Sequence, residues 1–261
     1  MNYKKSLPKA VRNLIRNGEI KTQTSGMCDG YAQANLIILP KKYADDFLIF
    51  AQKNQKSCPL LEVGKVGSKL INKMADGADV CRDFPKYRVY KNGQLTGEFF
   101  DVTDFWRDDF VYFLIGCSFS FEGELLQNNI TVRHVEEDKN VPMYLTNIDC
   151  EPYGIFKGKL VVSMRPMLPK DAERAIEITS HMPKVHGAPI HLGNPELIGI
   201  KDINKPDFGD SVTIKDGEIP VFWCCGVTPQ SVVMTAKPEI AITHAPGHMF
   251  ITDVKNSSLK D

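Results

Sequence analysis

Two histidines four residues apart, His244 and His248 in HAPGHMFITD (His244–Asp253), have the chemistry to move protons. Imidazole titrates near neutral pH, so either one suits a general acid or base. Pro246 and Gly247 lie between them and break any helix, which puts the pair on a loop between strands. With Asp253 they could instead bind a divalent metal, and a structural, hydrogen-bonded role for each is the plainer reading. In YFLIGCSFSFEGELL (Tyr112–Leu126) an apolar run stops at Gly116, and Cys117, Ser118, Ser120 and Glu122 follow at a helix start. Such a corner exposes backbone N–H groups that favour anions, and it lowers the pKa of a cysteine placed there. Its plainer reading makes Ser118 or Ser120 the helix cap, with Glu122 offsetting the dipole. PVFWCCGVTPQ (Pro220–Gln230) is a strand entering a turn, with Thr228 expected at the N-cap and Pro229 at the first helical position. The amides of Gly226, Val227 and Thr228 would then be placed to hold a carboxylate. Arg88, Arg133 and Arg165 sit in strand-like segments and suit bidentate carboxylate recognition, although each alone is more often a structural ion pair. His186 and His191 have no spacing that assigns them a role. No GxGxxG, P-loop or GxSxG occurs, so nucleotide cofactors and hydrolase elbows lack support.

The elements that must position these residues alternate between strand-like and helix-like runs, which predicts an α/β protein. Tyr31–Leu39 reads as a strand stopped by Pro40, and Tyr43–Gln52 as a helix burying Phe47, Leu48 and Phe50. Tyr87–Tyr90 runs into Asn92-Gly93, a tight hairpin signal. Val111–Ile115 is a buried strand or helix end, and Phe119–Asn128 a helix. Ile130–Val135 alternates like a strand, Val141–Thr146 is extended, and Leu160–Met164 and Ala188–Leu192 read as strands. Pro169 opens a helix through Ser180. Val221–Cys225, a helix near Gln230–Ala236, and strands at Ile240–Thr243 and Met249–Thr252 complete the chain. No internal repeat is visible. The grouping predicts a larger α/β sandwich domain (1–128, returning at 216–261) with a smaller two-layer α+β lobe inserted (129–215).

Composition narrows the function. Acidic and basic side chains balance at 32 each, which removes the electrostatic argument for nucleic acid or an anionic membrane. No run reaches ~18 apolar residues, so no bilayer span is expected. The N-terminus reads as an amphipathic helix with Val11, Leu14 and Ile15 on one face, not as a secretory signal. Seven cysteines without a CxxC pair fit small buried residues in a reducing compartment better than disulfides or zinc.

Several of these segments together resemble the hydro-lyase family related to D-glutamate cyclase. They are GYAQANLIILP, CPLLEVG, FPKYRVYKNG, IGCSFSFE, RHVEEDKNVPMYLTNI, VVSMRPM, VHGAPIHLG, PVFWCCGVTPQ and HAPGHMFITD, spread from about Ile15 to Asp253. One departure is Cys81-Arg82-Asp83, where the family pattern has Arg-Thr-Asp. The resemblance implies a two-lobed protein of a bacterial cytoplasm; a small-molecule substrate is expected and no cofactor, with a divalent metal as the alternative and a homo-oligomer left open. It also implies conversion of D-glutamate to 5-oxo-D-proline with loss of water. In that reaction His244, His248 or Glu122 would serve as acid and base. The Cys117-Ser118 turn and the Gly226–Thr228 amides would bind oxyanion or carboxylate, Arg88 or Arg165 the α-carboxylate, and Gln33, Asn35 and Asn147 would orient polar groups. The competing expectations are a metal-dependent dehydratase of a hydroxy acid and a non-catalytic binder of small acids.

Overall fold

The structure, a computed structural model, describes residues 3–261. In chain order the elements are α1 (Pro8–Arg16), β1 (Tyr31–Pro40), α2 (Lys41–Lys53), β2 (Leu60–Val63), β3 (Leu70–Ile71), β4 (Ala78–Asp79), β5 (Tyr87–Lys91) and β6 (Gln94–Phe99). Then come β7 (Phe110–Gly116), α3 (Phe119–Gln127), α4 (Arg133–Glu136), β8 (Met143–Asp149), β9 (Lys159–Met167) and α5 (Pro169–Ser180). The last are β10 (His191–Leu192), β11 (Ile219–Cys224), α6 (Val227–Ala236), β12 (Ala241–His244) and β13 (Phe250–Lys255). Among these, no helix is long and apolar enough to cross a membrane.

Two antiparallel sheets carry the molecule. The first runs β2-β7-β1-β12-β5-β6, with β13 beside the opening half of β1. The second runs β10-β11-β9-β8. β1 and β7 are covered on both faces, which is why they read as continuous apolar runs rather than alternating ones. Alternate residues of β1 serve two cores. Ala34, Leu36 and Ile38 pack with Phe121 and Leu125 of α3, Ala172 and Ala175 of α5, and Trp223. Ile37 and Leu39 pack with Phe47 and Phe50 of α2, Phe222, and Val232 and Val233 of α6. The β5–β6 hairpin turns at Asn92 and Gly93, both at positive φ (49° and 79°), as the Asn-Gly pair predicts.

The second sheet repeats the central plan of the first. β1 leads into α2 and β9 into α5. Ala34 of β1 pairs with Gly116 of β7, and Val162 of β9 pairs with Cys224 of β11. After each of those partners come a cysteine and one small residue, Cys117-Ser118 or Cys225-Gly226, and then a helix. The second residue of each helix is tied to the neighbouring strand. Ser120 Oγ accepts from the Gln33 amide and Thr228 Oγ1 from the Val161 amide, both at 3.0 Å. A sequence reading finds no repeat because strand register and one hydroxyl in each half preserve it, not residue identity.

Mixed α/β architecture was expected and is found, but the two main sheets are built alike. β11 lies beside β9, so the chain rejoins the first sheet only at β12. Ile130–Val135 is not a strand. Val132 is extended, and α4 begins at Arg133 because Arg133 turns inward to bond Glu136, Glu218 and the Thr213 carbonyl. Of Ala188–Leu192 only His191–Leu192 pairs as strand.

Candidate active site

The first corner, Cys117-Ser118, sits where β7 ends and α3 begins. Ser118 is the N-cap residue but makes no capping hydrogen bond. Its Oγ instead accepts from Arg165 Nη2 at 3.0 Å. Arg165 stands on β9 and is only 1% exposed. Its guanidinium lies against the rings of Phe121 (4.9 Å) and Trp223 (5.4 Å), gives Nη1 to Ser163 Oγ at 2.9 Å, and grips Glu122 Oε1 with both Nε and Nη2. His134 Nε2 lies 3.3 Å from the same oxygen without the alignment of a hydrogen bond, and has no other partner. Burial by itself would push the Glu122 carboxyl up. His134 and the Arg165 guanidinium outweigh that and hold it down at about 2, so Glu122 is ionised at neutral pH.

The second corner, Cys225-Gly226, opens α6. The helix starts two residues earlier than expected, at Val227 with Gly226 as N-cap, which leaves Thr228 and Pro229 inside the first turn. Gly226 cannot bear a side chain, since a Cβ there would lie 2.1 Å from the Asn35 amide nitrogen. That close approach brings Asn35 of β1, which donates to the Gly116 carbonyl at 2.7 Å, against both corners. Gln230 occupies the place in α6 that Glu122 occupies in α3, the fourth residue. Its amide lies 3.1 Å from His244 Nδ1.

The two corners meet. Cys117, Ser118 and Phe119, Cys225, Gly226 and Val227, and His244 with Pro246 and Gly247 line one narrow cleft, closed by Asn35, Asn140 and Met143. Both helix N-termini open to it, so their dipoles favour an anion there. His244 is fully buried and Nδ1 accepts the Leu36 amide at 3.1 Å, which leaves the ring proton on Nε2. Burial pushes its pKa down to about 3, with His248 and Arg88 adding positive field. It is therefore a neutral imidazole, not a group poised to titrate at neutral pH. The corner cysteines also depart from expectation. Burial outweighs the helix ends, raising the Cys117 thiol well above its usual value and Cys225 to about 11. Neither is an activated nucleophile.

Other expected site residues lie elsewhere. Arg88 is partly exposed on the β5–β6 hairpin and pairs with Glu98 at 2.9 Å. Asn147 lies on the exposed stretch of β8, outside the cleft. Gln33 is buried but tied to Thr24 through both ends of its amide. Thr228 spends its hydroxyl on the Val161 backbone. His248 bonds the Pro246 carbonyl at 2.9 Å and does not line the cleft, and both oxygens of Asp253 are taken by Arg12. Among the described residues, no group of three or more His, Cys, Asp or Glu side chains is placed to hold a metal ion. Asn140, Ser163 and Gln230 were not singled out from the sequence, and His134 only as the neighbour of Arg133. Their role depends on partners far along the chain, and no local spacing announces them.

Two buried histidines make stability pH-dependent. Burial lowers His244 to about 3 and His186 to about 4. Below pH ~6.5 the unfolded chain takes up protons at both that the native state refuses, so stability falls with acid, by up to about 1.4 kcal/mol per pH unit per histidine. His186 is at positive φ (85°) and bonds the Lys56 carbonyl through Nδ1, a setting that asparagine tolerates. The melting temperature of His186→Asn should decline less between pH 7 and pH 5 than that of the parent. Parallel declines would remove His186 from the account.

This build is that of a mixed α/β protein whose two related corners line one narrow cleft. The chain belongs to the D-glutamate cyclase family, whose model matches residues 111–253, a span holding both corners, Glu122, Arg165 and His244. It is 63% identical over 260 residues to a protein of Clostridium beijerinckii, covering 100% of this chain and 99% of that one. It is 60% identical over 252 residues to one of Bacillus subtilis (97% and 98% covered) and 58% over 261 residues to one of Staphylococcus haemolyticus (100% of both). All three carry the name "Putative hydro-lyase". A solved nitrogen repressor-like protein from Methanococcus jannaschii aligns over 92% of this chain and 96% of its own, at 11% identity and a TM-score of 0.38, too loosely to carry an argument.

Proposed function

We propose that this protein is a hydro-lyase that cyclises D-glutamate to 5-oxo-D-proline in the cleft between the two corners. The observation that carries the reading is the convergence of two helix N-termini, the neutral His244 and the Arg165-held Ser118 on one enclosed space. In the reaction the amine nitrogen bonds to the side-chain carboxyl carbon, one C–O bond breaks, and both protons shed by nitrogen leave on the departing oxygen as water. A relay from nitrogen to oxygen therefore suffices. Ser118 Oγ, accepting from Arg165, keeps its own proton to pass into the cleft and takes another in return. Held near 2, Glu122 is too weak a base to take a proton from an ammonium group, and it serves to fix Arg165 and through it Ser118. The Gly226 and Val227 amides at the start of α6 hold the α-carboxylate, the Thr228 amide being bonded to the Cys225 carbonyl, and His244 Nε2–H faces the oxygen that gains charge. Ring closure within one molecule already supplies proximity.

The test is incubation with D- and L-glutamate, following 5-oxoproline by chiral chromatography. Formation of 5-oxo-D-proline from the D-enantiomer is expected. No product from either enantiomer would defeat the reading.

A further inference from the structure

We infer that Asn140 is the group that recognises the substrate's nitrogen, so that the cleft selects a small amino acid over the same acid lacking its amine. The inference deepens the reading above and rests on it for the placing of the substrate, although its own observation is separate.

Asn140 precedes β8 and its backbone is locked. Its N–H donates to Asp210 Oδ2 at 2.8 Å, and the Asp210 N–H donates back to the Asn140 carbonyl at 3.2 Å. The side chain is only 8% exposed and faces the cleft beside Ser118, Gly226, Val227 and His244. Among the described residues it makes no hydrogen bond, and Oδ1 is buried without a partner. A buried amide without partners is costly, and asparagines kept for structure are paired. The two helix N-termini turn positive dipole ends to the cleft, which suit a carboxylate. Asn140 Oδ1 offers the opposite, an acceptor. An amino acid presents both complements within a few bonds, a carboxylate for the helix ends and an N–H for Oδ1. An acid without the amine would leave Oδ1 stranded, and a site built to pair with an N–H rejects such an analogue strongly.

The experiment measures ligand affinity by calorimetry for the full chain and for Asn140→Leu, a replacement of similar shape. Probes are D- and L-glutamate and their amine-free analogue glutarate, with aspartate, alanine and glutamine beside their own amine-free acids. The parent should bind an amino acid about tenfold or more tighter than its amine-free partner. Asn140→Leu should lose that preference while its affinity for the amine-free acid stays within about twofold. Its melting temperature without ligand should equal or exceed the parent's, because an unpaired polar group has been removed. A structural asparagine would instead show a lower melting temperature. Asn140→Ser, smaller and still polar, serves should leucine crowd the cleft. If glutamate shows no preference over glutarate but another amino acid shows one that depends on Asn140, the glutamate reading falls and the recognition stands. If no amino acid outbinds its partner in the parent, or the preference survives in both variants, the inference is overturned.

Discussion

Exchanging Arg165 for methionine is expected to lower the unfolding free energy by about 3–5 kcal/mol at neutral pH. With His134, the guanidinium is the counter-charge to a carboxylate that has almost no contact with water, its side chain only 5% exposed. It also ties Ser118 and Ser163 and packs against two aromatic rings. Methionine restores much of the volume but none of the charge, so Glu122 is left buried beside His134 alone. Burial then pushes the Glu122 pKa up, above its unfolded value. A carboxyl with a raised folded pKa is stabilising below its unfolded pKa and loses that contribution as pH rises, so the deficit should be largest at pH 7 and shrink toward pH 4.5. Denaturant unfolding at both pH values checks it. A loss under about 1 kcal/mol at pH 7 would mean that the pair contributes no more than an exposed one. Adding Glu122→Gln to the variant should recover much of the stability without recovering turnover, which separates the role of the pair in folding from its role in holding Ser118.

The second large effect is expected in turnover. His244→Ala should cut kcat by about a hundredfold or more if its Nε2–H stabilises the developing oxyanion. Alanine also strands the Leu36 amide, at a cost of about 1–3 kcal/mol in stability. His244→Asn separates the two, because its carbonyl oxygen reaches the place of Nδ1 and accepts that amide while nothing replaces Nε2. Both variants should be slow, and only alanine should be markedly less stable. With its pKa near 3, His244 should put no inflection into the kcat profile between pH 5 and pH 8. Near-parental kcat in His244→Asn would take the residue out of the chemistry.

Much of the scaffold was legible because punctuation and periodicity agree locally. Pro40 closes β1 at the start of α2, Pro169 opens α5, and Asn92-Gly93 turns the hairpin. Ile130–Val135 misled because Ile130, Thr131 and Val132 alternate, whereas Arg133 and His134 are both buried, a tertiary demand that no strand period predicts. Residues of the segments read from the sequence as candidate site material, Tyr112–Leu126, Pro220–Gln230 and His244–Asp253, line one cleft. The chemistry within it was less legible. An exposed imidazole and a thiol at a helix end have familiar pKa values, but burial sets those of His244 and Cys117, and burial depends on the whole fold. Arg165 was a candidate for binding carboxylate and does bind one, on Glu122, a residue 43 positions away. No spacing rule reaches that far.

The repeated plan of the two sheets has a consequence for how a ligand is oriented. Related corners line one cleft, and identical corners would offer the same surroundings to either end of a dicarboxylate. Glutamate, with two carboxylates, would then bind in two orientations, only one of them able to close a ring. The two corners differ in charge at one equivalent pair: one is backed by the anionic Glu122 and its arginine, the other by the uncharged Gln230 and its neutral histidine. On the proposed reaction, polarity across the cleft, rather than its shape alone, would set which end of the molecule goes where.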